Sequence, residues 1–159
     1  MSNSNHRRTI LKSFEYAFQG LAYVLKRERN MKIHFAAALG AIIFSVAVGI
    51  DAENMLWIFL AIALVMITEI LNTFFEELLD FVNPQYSEAV KHMKDMAAGG
   101  VLMAAIFAIV VAIGVFGKRF GYDLYWVSET VFLVYLFLVI VLVLGGGKKN
   151  EKNKSGNHR

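Results

Sequence analysis

Between positions 69 and 80 the chain reads Glu69-Ile-Leu-Asn72-Thr-Phe-Phe-Glu76-Glu77-Leu-Leu-Asp80. On a helix, residues 69, 72, 76 and 80 fall within one stripe, because steps of three and four residues return to the same face. If a membrane-crossing helix begins near Met55, Glu69 lies about 21 Å down its axis and Glu76 about 31 Å, at the inner edge of a hydrocarbon core about 30 Å thick. One carboxylate is then at lipid-headgroup depth and the other touches cytosol. An ionisable group within a membrane helix is costly and usually faces a bundle interior, a partner or a polar cavity. The bland reading is a structural acid paired with Lys or Asn across helices; the placing of Asn72 and Glu76 on the same stripe weighs against it. Carboxylates without Cys or His ligands prefer hard cations, and Mg²⁺ characteristically joins one or two carboxylates to substrate phosphates. That points to phosphoryl transfer, in which a base at headgroup depth accepts a proton from a lipid hydroxyl while acids at the surface hold Mg²⁺-ATP.

Two further groups of residues bear on this chemistry. After Pro84, SEAVKHMKDMAAGG restarts a helix that places Lys91, Lys94, Asp95 and Ala98 on one face. A short connection makes the flanking spans antiparallel neighbours and brings Lys94 and Asp95 toward Glu69, Asn72 and Glu76. From spacing alone, a simple Lys91 to Asp95 surface pair has equal weight. Glu28, three residues after Leu25, extends an apolar stripe and is expected to face the bundle or the headgroups. Other chemistries fail. The chain has no cysteine, its four histidines show no zinc spacing, and GGGKK at 145–149 lacks the spacing and hydroxyl of a phosphate-binding loop.

The elements that must position these groups are membrane helices. Of 159 residues, 57% are hydrophobic and 18% charged, too few charges to coat a soluble domain of this size. Spans are predicted over 33–50, 55–75, 96–116 and 124–144, preceded by an amphipathic surface helix within 7–30 carrying Leu11, Phe14, Phe18, Leu21 and Leu25 on one side. The fold class is all-α, a polytopic helical bundle. Its expected divisions are a cytosolic N-terminal segment (1–32), a three-span core (33–117), an additional span (118–145) and a disordered basic tail (146–159). All basic residues except Lys118 and Arg119 fall on one side of such a path, which makes that side, with both termini, cytoplasmic. The net charge of +3 is thereby read as topology and not as nucleic-acid binding.

On EILN at 69–72, Glu76, Asp80 and the KDM with small residues at 94–100, the sequence resembles the prokaryotic integral-membrane diacylglycerol kinase and undecaprenol kinase family over roughly residues 7–117. The resemblance implies a homotrimer in the cell membrane, active on its cytoplasmic side, that transfers the γ-phosphate of ATP to a membrane lipid alcohol. It implies that Glu69 is the catalytic base and contacts the acceptor together with Ala98, and that Glu28 and Glu76 bind Mg²⁺. Tyr16, Glu28, Asn72, Glu76, Tyr86, Lys94 and Asp95 would surround the nucleotide. RERNMKIH at 27–34 is more similar to the undecaprenol-using branch, so undecaprenol is the expected acceptor and diacylglycerol the alternative. Thr9 stands where the family's surface-helix arginine is usual, with Arg8 adjacent. Two readings of other classes compete: a small ion- or proton-conducting protein with Glu69 and Glu76 as relay groups, and a purely structural membrane adaptor.

Overall fold

The structure is a computed structural model that describes residues 3–85, 87–122 and the isolated positions 129, 131, 133, 135, 136 and 140, with side chains from Ile10 onward. Most of the expected fourth span, the basic tail and Tyr86 lie outside the described residues. Among the described residues every regular element is helical: α1 (Asn3–Arg27), α2 (Arg29–Ala47), α3 (Ala52–Val82) and α4 (Glu88–Arg119). The chain divides into two compact units, 1–112 and 113–159. Every residue discussed below as part of the site belongs to the first.

Three helices, α2, α3 and α4, are long and apolar enough to cross a membrane. At about 1.5 Å per residue, α3 is about 46 Å long, well beyond a hydrocarbon core of about 30 Å. Its 31 residues therefore allow the last turns, which carry Glu76, Glu77 and Asp80, to lie outside the apolar layer.

The joints are built from local chemistry. The spacing predicts one helix across 7–30, but α1 stops at Arg27 and Glu28 adopts an extended backbone, φ −86° and ψ 126°, as the N-cap of α2. Glu28 thus does not extend the α1 stripe. A single extended residue redirects the chain, and the Glu28 side chain makes no capping hydrogen bond. At the other end of α2, Gly49 takes φ 70°, a left-handed conformation that costs glycine little. The Gly49 N–H then reaches Val46 O over 3.2 Å and the Ile50 N–H reaches Ser45 O over 3.0 Å, closing the helix in a Schellman motif. Asp51 follows at once as the α3 N-cap, its Oδ1 accepting from the Asn54 N–H at 3.0 Å. The connection between α2 and α3 is therefore residues 48–51, and α3 begins at Ala52, three residues before the expected start at Met55.

Within the first unit, α2 lies along α3, and α1 touches both. The inner row of α3 is Ile58, Ala61, Val65, Glu69, Asn72 and Thr73, all buried at helical spacing. Opposite it α2 buries Met31 and Ser45, and α1 contributes Val24. Ser45 is satisfied within its own helix, its hydroxyl donating to Ala41 O at 2.6 Å. Leu56, Ile67, Leu71 and Phe74 point outward and remain exposed, as do Leu11, Phe14, Phe18 and Leu21 on α1. An apolar exterior around a partly polar seam is the inverse of a soluble domain and matches a lipid surround.

Candidate active site

The polar part of the inner row forms the centre of the site. Glu69 is 1% exposed, Asn72 7% and Thr73 3%. Thr73 is satisfied, its hydroxyl donating to the Glu69 carbonyl at 3.0 Å. Asn72 Nδ2 donates to Glu76 Oε1 at 3.1 Å, while Asn72 Oδ1 and Glu69 Oε2 are buried without a hydrogen-bond partner. An orphaned buried polar atom costs about 1–3 kcal/mol. Two such oxygens one turn apart mark a place where a further donor or cation would be stabilised. His34 of α2, Glu76, and Glu28 at the head of α2 all lie close enough to act electrostatically on Glu69. Glu28 and Glu76 thus both lie within electrostatic range of Glu69, although the chain separates Glu28 from Glu69 by about 40 positions.

The remaining expected residues take other positions. Lys94 Nζ pairs with Asp80 Oδ1, and both side chains, with Asp95, line a cavity of about 380 Å³ beside Asn83, Pro84, Ser87 and Lys91. This cavity occupies the turn between α3 and α4. It is displaced from the Glu69 seam along the 69–72–76–80 stripe, where one turn advances about 5.4 Å. Among the described residues α4 makes no close backbone approach to α1, α2 or α3, so Lys94 and Asp95 meet the stripe at Asp80 and not at Glu69. Ala98 and Tyr16 are exposed on α4 and α1. Tyr86 is outside the described residues.

Sequence reasoning passed over four residues. His34 entered only as a rejected zinc ligand, although its place on the Met31 side of α2, three residues on, is a signal that it faces the seam. Tyr23, Arg27 and Glu77 form a cluster between α1 and α3. Tyr23 OH donates to Glu77 Oε1 at 2.8 Å, and Arg27 Nη1 lies 2.7 Å from the same oxygen. The hydrogen bond with Tyr23, and then the Glu77 charge, push the Arg27 guanidinium above its ordinary range, so it is cationic at any working pH. No local pattern announces such a cluster.

The donor chemistry fits the divalent cation that the resemblance implies. Glu28 and Glu76 offer carboxylate oxygens, and Asn72 Oδ1 is an unpartnered carbonyl-type oxygen beside Glu76. Among the described residues no three His, Asp or Glu side chains converge as a complete cage. Mg²⁺ held by one or two carboxylates plus a substrate phosphate does not need one.

Fold and site together define an all-helical protein, among the described residues, with three candidate membrane spans and a seam that buries Glu69. Residues 15–116 match the prokaryotic diacylglycerol kinase family. The diacylglycerol kinase of Synechocystis is 39% identical over 103 residues, 64% of this chain and 59% of that protein. The undecaprenol kinase of Bacillus subtilis is 30% identical over 119 residues, 73% of this chain and 97% of its own length, and the diacylglycerol kinase of Escherichia coli K12 is 28% identical over 120 residues, 76% and 98%. The chain belongs to the prokaryotic diacylglycerol kinase family and is an enzyme of the lipid-kinase class.

Proposed function

We propose that the protein transfers the γ-phosphate of ATP to the hydroxyl of a membrane lipid alcohol, at the cytoplasmic face of the cell membrane, and that its acceptor is undecaprenol. The observation that carries the site assignment is the buried Glu69, whose Oε2 has no partner, on the stripe that runs to Glu76 and Asp80. A carboxylate oxygen with no internal partner is available to take the acceptor's proton. Because Glu69 is covered on α2's side, its side chain must turn out of the α2/α3 seam for the hydroxyl to meet it.

Glu28 and Glu76 hold Mg²⁺, with Asn72 orienting Glu76 through its amide. When bound, the cation neutralises charge on the triphosphate during transfer. Lys94 and Asp95, in the cavity at the α3/α4 turn, contact the nucleotide together with Tyr16 and Tyr86, and Ala98 borders the acceptor. The exposed apolar face of α1 lies in the membrane surface. The protein assembles as a homotrimer.

The undecaprenol reading rests on RERNMKIH at 27–34, with the 30% identity to the Bacillus subtilis undecaprenol kinase beside it. Diacylglycerol as acceptor is the second reading, favoured by the higher identity to the Synechocystis diacylglycerol kinase. An acceptor competition decides between them: undecaprenol and diacylglycerol are offered at equal mole fraction with Mg²⁺-ATP to the chain in bilayers, and the labelled lipid products are separated. Undecaprenyl phosphate as the main product supports the proposal. Phosphatidic acid as the main product replaces it with the second reading, and no lipid phosphate from any alcohol refutes both.

A further inference from the structure

Arg27 ends α1, and its guanidinium reaches groups on three elements. Nη1 pairs with Glu77 Oε1 of α3 at 2.7 Å and bonds the Tyr23 hydroxyl one turn back on α1. Nε stands 3.6 Å from Glu28 Oε1, at the head of α2. The guanidinium carbon lies 5.6 Å from the centroid of the Tyr23 ring, and the Tyr23 hydroxyl itself donates to Glu77 across 54 positions of sequence. A planar fork with five donors can serve two carboxylates and a phenol at once, which an ammonium group cannot do with the same directionality. Exposed ion pairs add at most about 1 kcal/mol, so the consequence of this cluster lies in geometry more than in stability.

We propose that Arg27 is a positioning residue: with Tyr23 and Glu77 it clasps α1 to α3, and from that anchored place it holds the Glu28 carboxylate at the α1/α2 joint. Glu28 needs such a hold. Its backbone is the one extended residue between two helices, its side chain makes no capping hydrogen bond, and among the described residues its ion-pair partner is Arg27. Glu77 shares a turn with Glu76, so an α1 tied to Glu77 keeps Glu28 in register with Glu76. The clasp itself is independent of the proposed function; the role given to Glu28 rests on the kinase reading, in which Glu28 and Glu76 hold the cation.

The chain has no cysteine, so spin labels can be placed at Ala22→Cys on α1 and Phe81→Cys on α3, in full-length protein in bilayers diluted with unlabelled chain. Their distance distribution is measured in the Arg27→Gln, Glu77→Gln and Tyr23→Phe backgrounds. On the same variants without spin labels, Mn²⁺ affinity is measured by its free-ion resonance with a non-hydrolysable ATP analogue present. Arg27→Gln is expected to broaden the distances and weaken Mn²⁺ binding about tenfold, as loss of a residue supporting a metal ligand does. Tyr23→Phe, which leaves the helix intact, moves both readouts the same way by less. Unchanged distances overturn the clasp. Broadened distances with wild-type Mn²⁺ affinity overturn the positioning of Glu28, since mere loosening of the fold would lower the bound fraction and leave the affinity alone. A wild-type chain that binds no Mn²⁺ with the analogue is a separate failure: it removes the metal role of Glu28 and this positioning with it, while the distances still judge the clasp.

Discussion

Asn72 donates through Nδ2 to Glu76 Oε1 over 3.1 Å, one turn along α3. The bond commits the donor side of the amide to the acid and leaves the carbonyl oxygen buried without a partner. Asn72 therefore does two things from one position: it aims the Glu76 carboxylate and presents an oxygen of its own beside it.

Asn72→Ala removes both. The Mg²⁺ concentration for half-maximal lipid phosphorylation is expected to rise about 10- to 100-fold, the usual effect of losing a group that orients a metal ligand. A Mg²⁺ titration at saturating ATP checks this. An unaltered Mg²⁺ requirement would make the Asn72 to Glu76 bond incidental to the metal.

Glu69→Gln keeps the size of the side chain and removes its basicity. Turnover is expected to fall by about 100- to 10,000-fold, the usual weight of a general base, while nucleotide binding persists. Access to the same residue can be read directly with a membrane-soluble carbodiimide, which should modify Glu69 slowly and less in the presence of acceptor lipid. A Gln variant that turns over like wild type removes the base role, whatever the carbodiimide does.

Lys94 separates stability from binding. Its ion pair with Asp80 is partly exposed, so Lys94→Met should shift thermal stability by less than about 1 kcal/mol. The KM for ATP should nevertheless rise about tenfold or more, because a cation leaves the cavity that is proposed to receive the triphosphate. Matched steady-state kinetics and thermal melts in detergent separate the two effects; a variant with lower stability and an unchanged KM would assign Lys94 to the scaffold.

Ala61 tests the seam itself. It is 3% exposed between Ile58 and Val65 on the inner row of α3. Ala61→Leu inserts bulk where α2 and α3 approach, and overpacking of this kind costs about 1–3 kcal/mol. The melting midpoint in detergent should fall. An unaffected midpoint would mean that α2 does not press on α3 at this level.

Much of the architecture is written in composition and period. Long uncharged runs leave helices as the economical way to satisfy backbone hydrogen bonds in lipid, and three of the expected spans correspond to α2, α3 and α4. The stripe of Glu69, Asn72 and Glu76 is equally local, because helical spacing places side chains on one face before any neighbour exists. Boundaries were less legible. The helix expected across 7–30 stops at Arg27, and α3 starts at Ala52 and not at Met55, because a single extended residue and a capping aspartate end and begin helices without interrupting the hydrophobic pattern.

What no periodicity could supply is which faces meet. Glu28 reads as the next step of an α1 stripe, yet one extended residue turns it into the head of α2 and brings it within electrostatic reach of Glu69. Tyr23, Arg27 and Glu77 are ordinary surface types in sequence; they become a cluster because α1 folds back against α3. Burial of Glu69 beside His34 likewise arises only when α2 lies on α3. Local preferences act within a turn or two of the chain, whereas these contacts depend on the angles at two short joints, where small changes in backbone dihedral move whole helices.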